Sequence, residues 1–280
     1  MGDPADYVEH GIVPVLNDLG QVAYWSDWAR RLDRKLPAVL HTDTGMSRLG
    51  LPEEELQRLL ERRELLEPLN LCLVMSHLAC ADEPDNPMNR EQREKFAAIQ
   101  KRFPGVAGSL ANSSGIFLGP AYHGDLVRPG YGVYGGNPTP GKPNPMAPVV
   151  RLSAQIIQVR EVKPGQTVGY GAHHKVLQAT RIATIPVGYA DGYLRALSDR
   201  GIACVDGIEV AVVGRVSMDL VTLDIGALPI EKAGVGTWID LIWGREMLDI
   251  VAERAGTIGY ELLTALGGRY PRSYGRRAES

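Results

Sequence analysis

The chain of 280 residues carries 44% apolar and 22% charged side chains, so it can bury one large core or two moderate ones. Thirty basic against 33 acidic residues leave a formal charge of −3, which offers no field for gathering nucleic acid or an anionic membrane surface and points instead to small-molecule chemistry. No apolar run approaches the ~20 residues a bilayer requires, and the acidic opening MGDPADYVEHG lacks the basic residues of a signal peptide, so a cytoplasmic protein is expected.

In chain order, PAVLHT (37–42), LNLCLVMSH (69–77) and GVAGSL (105–110) are continuous apolar runs bounded by turn residues and predict buried strands. Between them, LPEEELQRLLERRELL places Pro52 and three glutamates in its first turn and arginines later, as the helix dipole favours. NREQREKFAAIQKRF (89–103) predicts a second such helix. Strands spaced by helices imply parallel pairing through right-handed crossovers, hence an α/β sheet or barrel with functional groups at the strand C-termini. His41, Asp43, His77, Asn112 and Arg128 all lie just past such ends. NPTPGKPNPMAP then packs five prolines into twelve residues from Asn137, which neither a helix nor a central strand accepts, and marks a domain boundary. Beyond it, RLSAQIIQVREV, QTVGYGAHH, TRIATIPVGY, IACVDGIEVAVVGRVSMDLVTLDI and TWIDLIWG are β-rich, with one helical stretch near 246–256. The expected domains are 1–145, α/β, and 146–280, mostly β. Cys72, Cys80 and Cys204 are odd in number and lack CxxC spacing, so neither a disulfide framework nor a metal site is expected, and they read as reduced thiols in or near the core.

Two features carry chemistry on their own terms. VRPGYGVYGG (127–136) sets an arginine before a glycine-rich loop whose backbone N–H groups can cradle a phosphate, and ANSSG (111–115) adds hydroxyls and a helix start. Glycine-rich turns also exist simply to turn. The second feature is a set of tyrosines in glycine settings, Tyr170, Tyr189 and Tyr260, which serve either catalysis or amphipathic packing.

Together with HTDTGMSRLGL, SHLACADEP, ANSSG and VRPGYGVYG, the later segments VGYGA, PVGYADGYLR, VVGRVSMD and TIGYELLTAL resemble, in order and spacing, the signatures of alanine racemase, from about residue 10 to about 274. The resemblance implies pyridoxal phosphate as cofactor and interconversion of L- and D-alanine. It also implies a partial TIM-type (β/α) barrel followed by a mostly β C-terminal domain, in a dimer where the β domain of one subunit completes the other's site. By the same resemblance Arg128 meets the cofactor's pyridine nitrogen and, because guanidinium stays protonated, leaves that nitrogen unprotonated and the ring a weaker electron sink. His77 packs on the ring and Asn112 lies against the cofactor. Ser113, Gly130, Tyr131 and Tyr260 hold the phosphate, two through hydroxyls and two through backbone N–H. Tyr170 is the acid and base on one face of the substrate Cα, supplied in trans. Arg48 and the N–H of Met218 bind the substrate carboxylate, while Tyr189 and Asp219 line the access route.

The sequence departs from the family in two places. A KxNAYGHG-like motif, which bears the lysine that holds the cofactor covalently, is absent, and none of Lys35, Lys95, Lys101, Lys142, Lys163, Lys175 or Lys232 has a matching context. The expectation is therefore a chain that starts after the leading barrel strands, leaves two parallel edges open, and is inactive alone. Two other roles stay open at this stage: a non-catalytic chain that dimerises with a full-length racemase, and a racemase for another amino acid such as serine. At the second departure, His41 stands where many members carry a carbamylated lysine, and it is either a neutral hydrogen-bonding group beside Arg48 or a satisfied core histidine.

Overall fold

The computed structural model describes residues 2–275, which divide into two compact units: residues 2–130 with 138–143, and residues 131–137 with 144–275.

In the first unit α1 (Pro4–Glu9) leads to β1 (Val15–Leu16), α2 (Leu19–Arg31) and β2 (Leu36–His41). Then come α3 (Glu53–Glu61), β3 (Leu69–Met75), α4 (Pro87–Gln100), β4 (Ala107–Ser109) and the short α5 (Ser113–Phe117). The strands form one parallel sheet in the order β1-β2-β3-β4, as strand–helix alternation requires. Asp18 caps α2 by accepting from the Gln21 N–H at 2.8 Å, and Val22, Trp25, Ser26 and Ala29 bury one face of that helix. Helix α4 starts two residues before the sequence reading places it, because the Asn86 side chain accepts from the Met88 N–H at 3.1 Å and Pro87 suits the first turn. Leu16, Leu40, Leu56, Leu59, Val74 and Trp25 form the fully buried centre of this unit. Cys72 corrects an expectation: it is exposed, on β3 beside exposed Asn70, whereas Cys204 is buried and Cys80 half-buried, and all three are free thiols.

The second unit holds β5 (Leu152–Gln155), β6 (Gln158–Val162), β7 (Thr167–Val168), β8 (His174–Lys175) and β9 (Thr180–Ile185). It continues with β10 (Ile202–Val205), β11 (Ile208–Val212), β12 (Val221–Asp224), β13 (Trp238–Ile242), α6 (Met247–Ala255) and α7 (Gly259–Ala265). Seven strands make one sheet, β5-β13-β10-β11-β12-β9-β6, antiparallel at each pairing, and β7-β8 form a separate ribbon. Helix α7 is a second helix where one was expected. Gly256 ends α6 in the left-handed region at φ 72°, and after Thr257 and the extended Ile258 the chain coils again.

Candidate functional site

The functional groups of the first unit gather at the C-terminal ends of β2, β3 and β4, where a parallel α/β sheet presents its loops. After β2, the carboxylate of Asp43 accepts from the backbone N–H groups of Gly45 and Met46 at 2.9 Å and of Ser47 at 3.1 Å. That single side chain folds the loop so that Arg48 stands exposed at its rim. The loop returns through Gly50, where a Cβ would sit 2.8 Å from the backbone carbon of Thr42, so only glycine closes the turn. His41 is buried at 8% exposure, and its Nδ1 lies 2.8 Å from Asn17 Oδ1. Burial, then the charge of Arg128, then His77 lower its pKa to about 4, so it is neutral near pH 7 and donates to Asn17.

Below this loop runs a buried polar chain. Gln92 on α4 is fully buried; its Nε2 donates to Thr44 Oγ1 at 3.1 Å and to the His77 carbonyl at 2.9 Å, and its Oε1 accepts from the Ala79 N–H at 2.8 Å. Thr44 and Ser76 share a further hydroxyl contact at 2.7 Å.

Arg128 is the electrostatic centre. Its guanidinium donates to the Ser109 hydroxyl and to the carbonyls of Ser76 at 2.6 Å and Leu110 at 3.4 Å. Its Nη2 lies 3.5 Å from His77 Nδ1. Burial lowers the arginine's pKa; burial, then Arg128 and Arg48, lower that of His77. A cation held by neutral acceptors beside an imidazole is a poised hydrogen-bond donor. Next to it, the Asn112 side chain caps α5 by accepting from the Gly115 N–H at 2.9 Å. Buried Ser113 accepts from the Gly130 N–H, also at 2.9 Å, so two of the phosphate candidates are neighbours.

In the second unit the other two phosphate candidates also meet: the rings of Tyr131 and Tyr260 stack at 4.3 Å and 19°. The Tyr131 hydroxyl donates to Asp249 Oδ1 at 2.7 Å, and burial followed by that carboxylate raises its pKa far above the ordinary phenol value. Gly259 leaves the room this ring needs, since a Cβ there would overlap the Tyr131 oxygen at 1.7 Å. Tyr170 sits on a short 3-10 turn, Tyr170–Ala172, with its side chain 73% exposed. Tyr189 and Met218 are both exposed on adjoining loops, joined by Tyr189 N–H to the Ser217 carbonyl and Ala190 N–H to the Met218 carbonyl, each 3.0 Å. Arg269 fastens these loops by ion pairs to Asp219 at 2.7 Å and Asp191 at 3.4 Å.

Among the described residues, no group of three or more His, Cys, Asp and Glu is placed to hold a metal ion, and no helix is long and apolar enough to cross a membrane.

Residues 2–138 match the family model for the alanine racemase N-terminal domain, and residues 149–274 match that for the alanine racemase C-terminal domain. The chain belongs to the alanine racemase family. It is 51% identical over 274 residues to alanine racemase of Rhodospirillum rubrum, covering 98% of this chain and 73% of that protein. It is 48% identical over 273 residues to the catabolic alanine racemase of Agrobacterium fabrum, covering 98% and 70%. Among solved alanine racemases, that of Bartonella henselae, crystallised with covalently bound pyridoxal phosphate, superimposes with a TM-score of 0.91 at 36% identity over 98% of this chain and 76% of that one. The biosynthetic enzyme of Pseudomonas aeruginosa gives 0.88 at 35%, covering 98% and 77%. The resemblance read from the motifs is borne out, as is the fold class: an α/β barrel-type unit followed by a mostly β unit. All seven lysines of this alanine racemase chain are exposed, as expected of surface lysines.

Sequence reasoning passed over Ser109, Gln92 and Asp249. Each is an ordinary polar residue in its own stretch, and its partners lie 13 to 118 positions away, so no local signal singles it out.

Proposed function

We propose that this chain binds pyridoxal phosphate at the strand ends of its first unit and serves the interconversion of L- and D-alanine. The observation that supports it most is Arg128: a half-buried guanidinium held by Ser109, Ser76 and Leu110, facing His77. That donor set fits the group. A guanidinium offers a hydrogen bond to a pyridine nitrogen without giving up its proton, and the contact of the Gly130 N–H with Ser113 Oγ brings together two groups of the kind that bind a phosphate. Bound pyridoxal phosphate supplies the electron sink that acidifies the substrate Cα–H.

The chain's own residues then have separable tasks. His77, neutral near pH 7, packs against the aromatic ring, and Asn112 lies beside it. Tyr131 and Tyr260 are assigned phosphate contact through the family resemblance, Tyr131 by its N–H because its hydroxyl is committed to Asp249. Arg48 and the Met218 N–H bind the substrate carboxylate, and Tyr189 borders the substrate. Tyr170 gives and takes the proton on one face of Cα, acting in trans on a second subunit; the assembly is a cytoplasmic dimer.

The test is deuterium uptake at Cα of L- and of D-alanine in D₂O with pyridoxal phosphate. One enantiomer should exchange faster, and Tyr170→Phe should slow that exchange by about 10²-fold or more, the usual reach of a positioned acid–base group. Exchange indifferent to Tyr170→Phe, or cofactor affinity indifferent to Arg128→Ala, refutes the proposal.

A further inference from the structure

The turn carrying Tyr170 uses backbone that side chains seldom adopt: Gly169, Gly171 and Ala172 have φ of 80°, 71° and 49°. Little apolar burial holds it, since Tyr170, Gly171 and Ala172 are all exposed. What grips it is a carboxylate far along the chain. Asp199 Oδ2 lies 2.7 Å from His173 Nδ1, and its Oδ1 lies 3.0 Å from His174 Nδ1 and 2.6 Å from the Gly214 N–H. An ionised carboxylate only accepts, so both successive imidazoles donate to it. Burial would raise the Asp199 pKa, but the Gly214 N–H and the two histidines outweigh it and hold the carboxyl below its ordinary range.

The carboxylate is itself anchored. Asp199 takes φ 53°, a conformation aspartate tolerates better than most residues, and the neighbouring Ser198 Oγ accepts from the Val216 N–H at 3.0 Å while donating to the Arg195 carbonyl at 2.6 Å. Two adjacent side chains thus tie down residues 214–216, and from that base Asp199 reaches the Tyr170 turn with both oxygens. Arg215 closes the other side: a Cβ on Gly171 would lie 3.1 Å from its Nη1.

We infer that Asp199 is a positioning residue for Tyr170, acting through His173 and His174. The inference rests on Tyr170 being the proton-transferring group. One donor to one oxygen would restrain the turn; two rings on two oxygens of a fixed carboxylate also set its rotation, which aims the phenol at a bound substrate. His174 is itself a residue of β8, paired with Val168, so the contact adjoins the β7-β8 ribbon, and the two histidines lie outside the seven-stranded sheet.

The experiment reads amide hydrogen exchange in the unliganded protein and Cα deuterium uptake by alanine in the pyridoxal phosphate-loaded protein. His173→Ala with His174→Ala should speed exchange at residues 170–172 about tenfold, in line with loss of charge-assisted hydrogen bonds, while Gly214 stays protected. Asp199→Ala, which removes both acceptor oxygens, should expose both segments, and combined with the histidine pair it should add nothing further at 170–172. In the loaded protein the histidine pair should lower the maximal rate of Cα exchange while leaving the alanine concentration for half-saturation within about twofold, because substrate binding is untouched. Unchanged amide exchange at 170–172 overturns the inference. So does an unchanged maximal rate when Tyr170→Phe is inactive. If Tyr170→Phe is instead as active as the parent, the reading of Tyr170 fails, and the amide exchange alone then decides whether Asp199 holds the turn.

Discussion

His41 makes the first unit acid-sensitive in a defined window. Its pKa is about 4 in the folded chain, against an ordinary ~6.5 when unfolded. Between those values the unfolded chain takes up a proton that the folded chain refuses, so stability rises with pH across the window and is lost as pH falls from about 6.5 toward 4. A separation of about 2.5 pH units at ~1.36 kcal/mol each caps the effect at roughly 3.4 kcal/mol, and solvent screening at the open strand end reduces it to about 1–2 kcal/mol. His41→Gln keeps an amide donor for Asn17 and removes the titration. We expect it to cost under about 1 kcal/mol at pH 7 and to be relatively better tolerated at pH 4.5, the gap between parent and variant closing or reversing by about 1–2 kcal/mol. Urea titrations at pH 7, 5.5 and 4.5, read by hydrogen-exchange protection of the β2 segment 36–41, isolate this unit; groups remote from His41 titrate in both proteins and cancel in the difference, while His77 and Asp43 enter it through their coupling to His41. A parent-to-variant gap that does not change with pH, or widens in the parent's favour on acidification, refutes the argument.

Two further outcomes are expected. Tyr131→Phe should destabilise the second unit by about 1.5–3 kcal/mol, seen as a lower urea midpoint for protection of α6, because Asp249 would lose the phenol O–H and retain the Asn137 N–H as a donor. Borohydride reduction after incubation with pyridoxal phosphate should label several of the seven exposed lysines to low extent, and peptide mass mapping that finds one stoichiometric site would contradict that.

The sequence exposed the parallel sheet because its apolar runs are continuous and bounded by turns, and the β-rich half because turn dipeptides punctuate it. It concealed β1, which is only two residues long and exists by pairing with Val39 and Leu40. It concealed α7, whose seven residues, GYELLTA, are too few for the period of a helix to declare itself. The meeting of His77 with Arg128 joins residues 51 apart, and the two histidines reach Asp199 across 26 and 25 residues. Such encounters are set by strand order and loop path, so motif resemblance found the first, and nothing in the linear pattern announced the second.

The amide of Gln92 ties together two loops that differ in electrical character, one ending in a surface cation at Arg48 and the other in the uncharged ring of His77. Since one side chain serves both, neither loop can drift without dragging its neighbour. Sequence change here is thereby coupled: a substitution that suits a new anion at Arg48 also resets the imidazole, and adaptation at this end of the sheet must proceed by paired replacements.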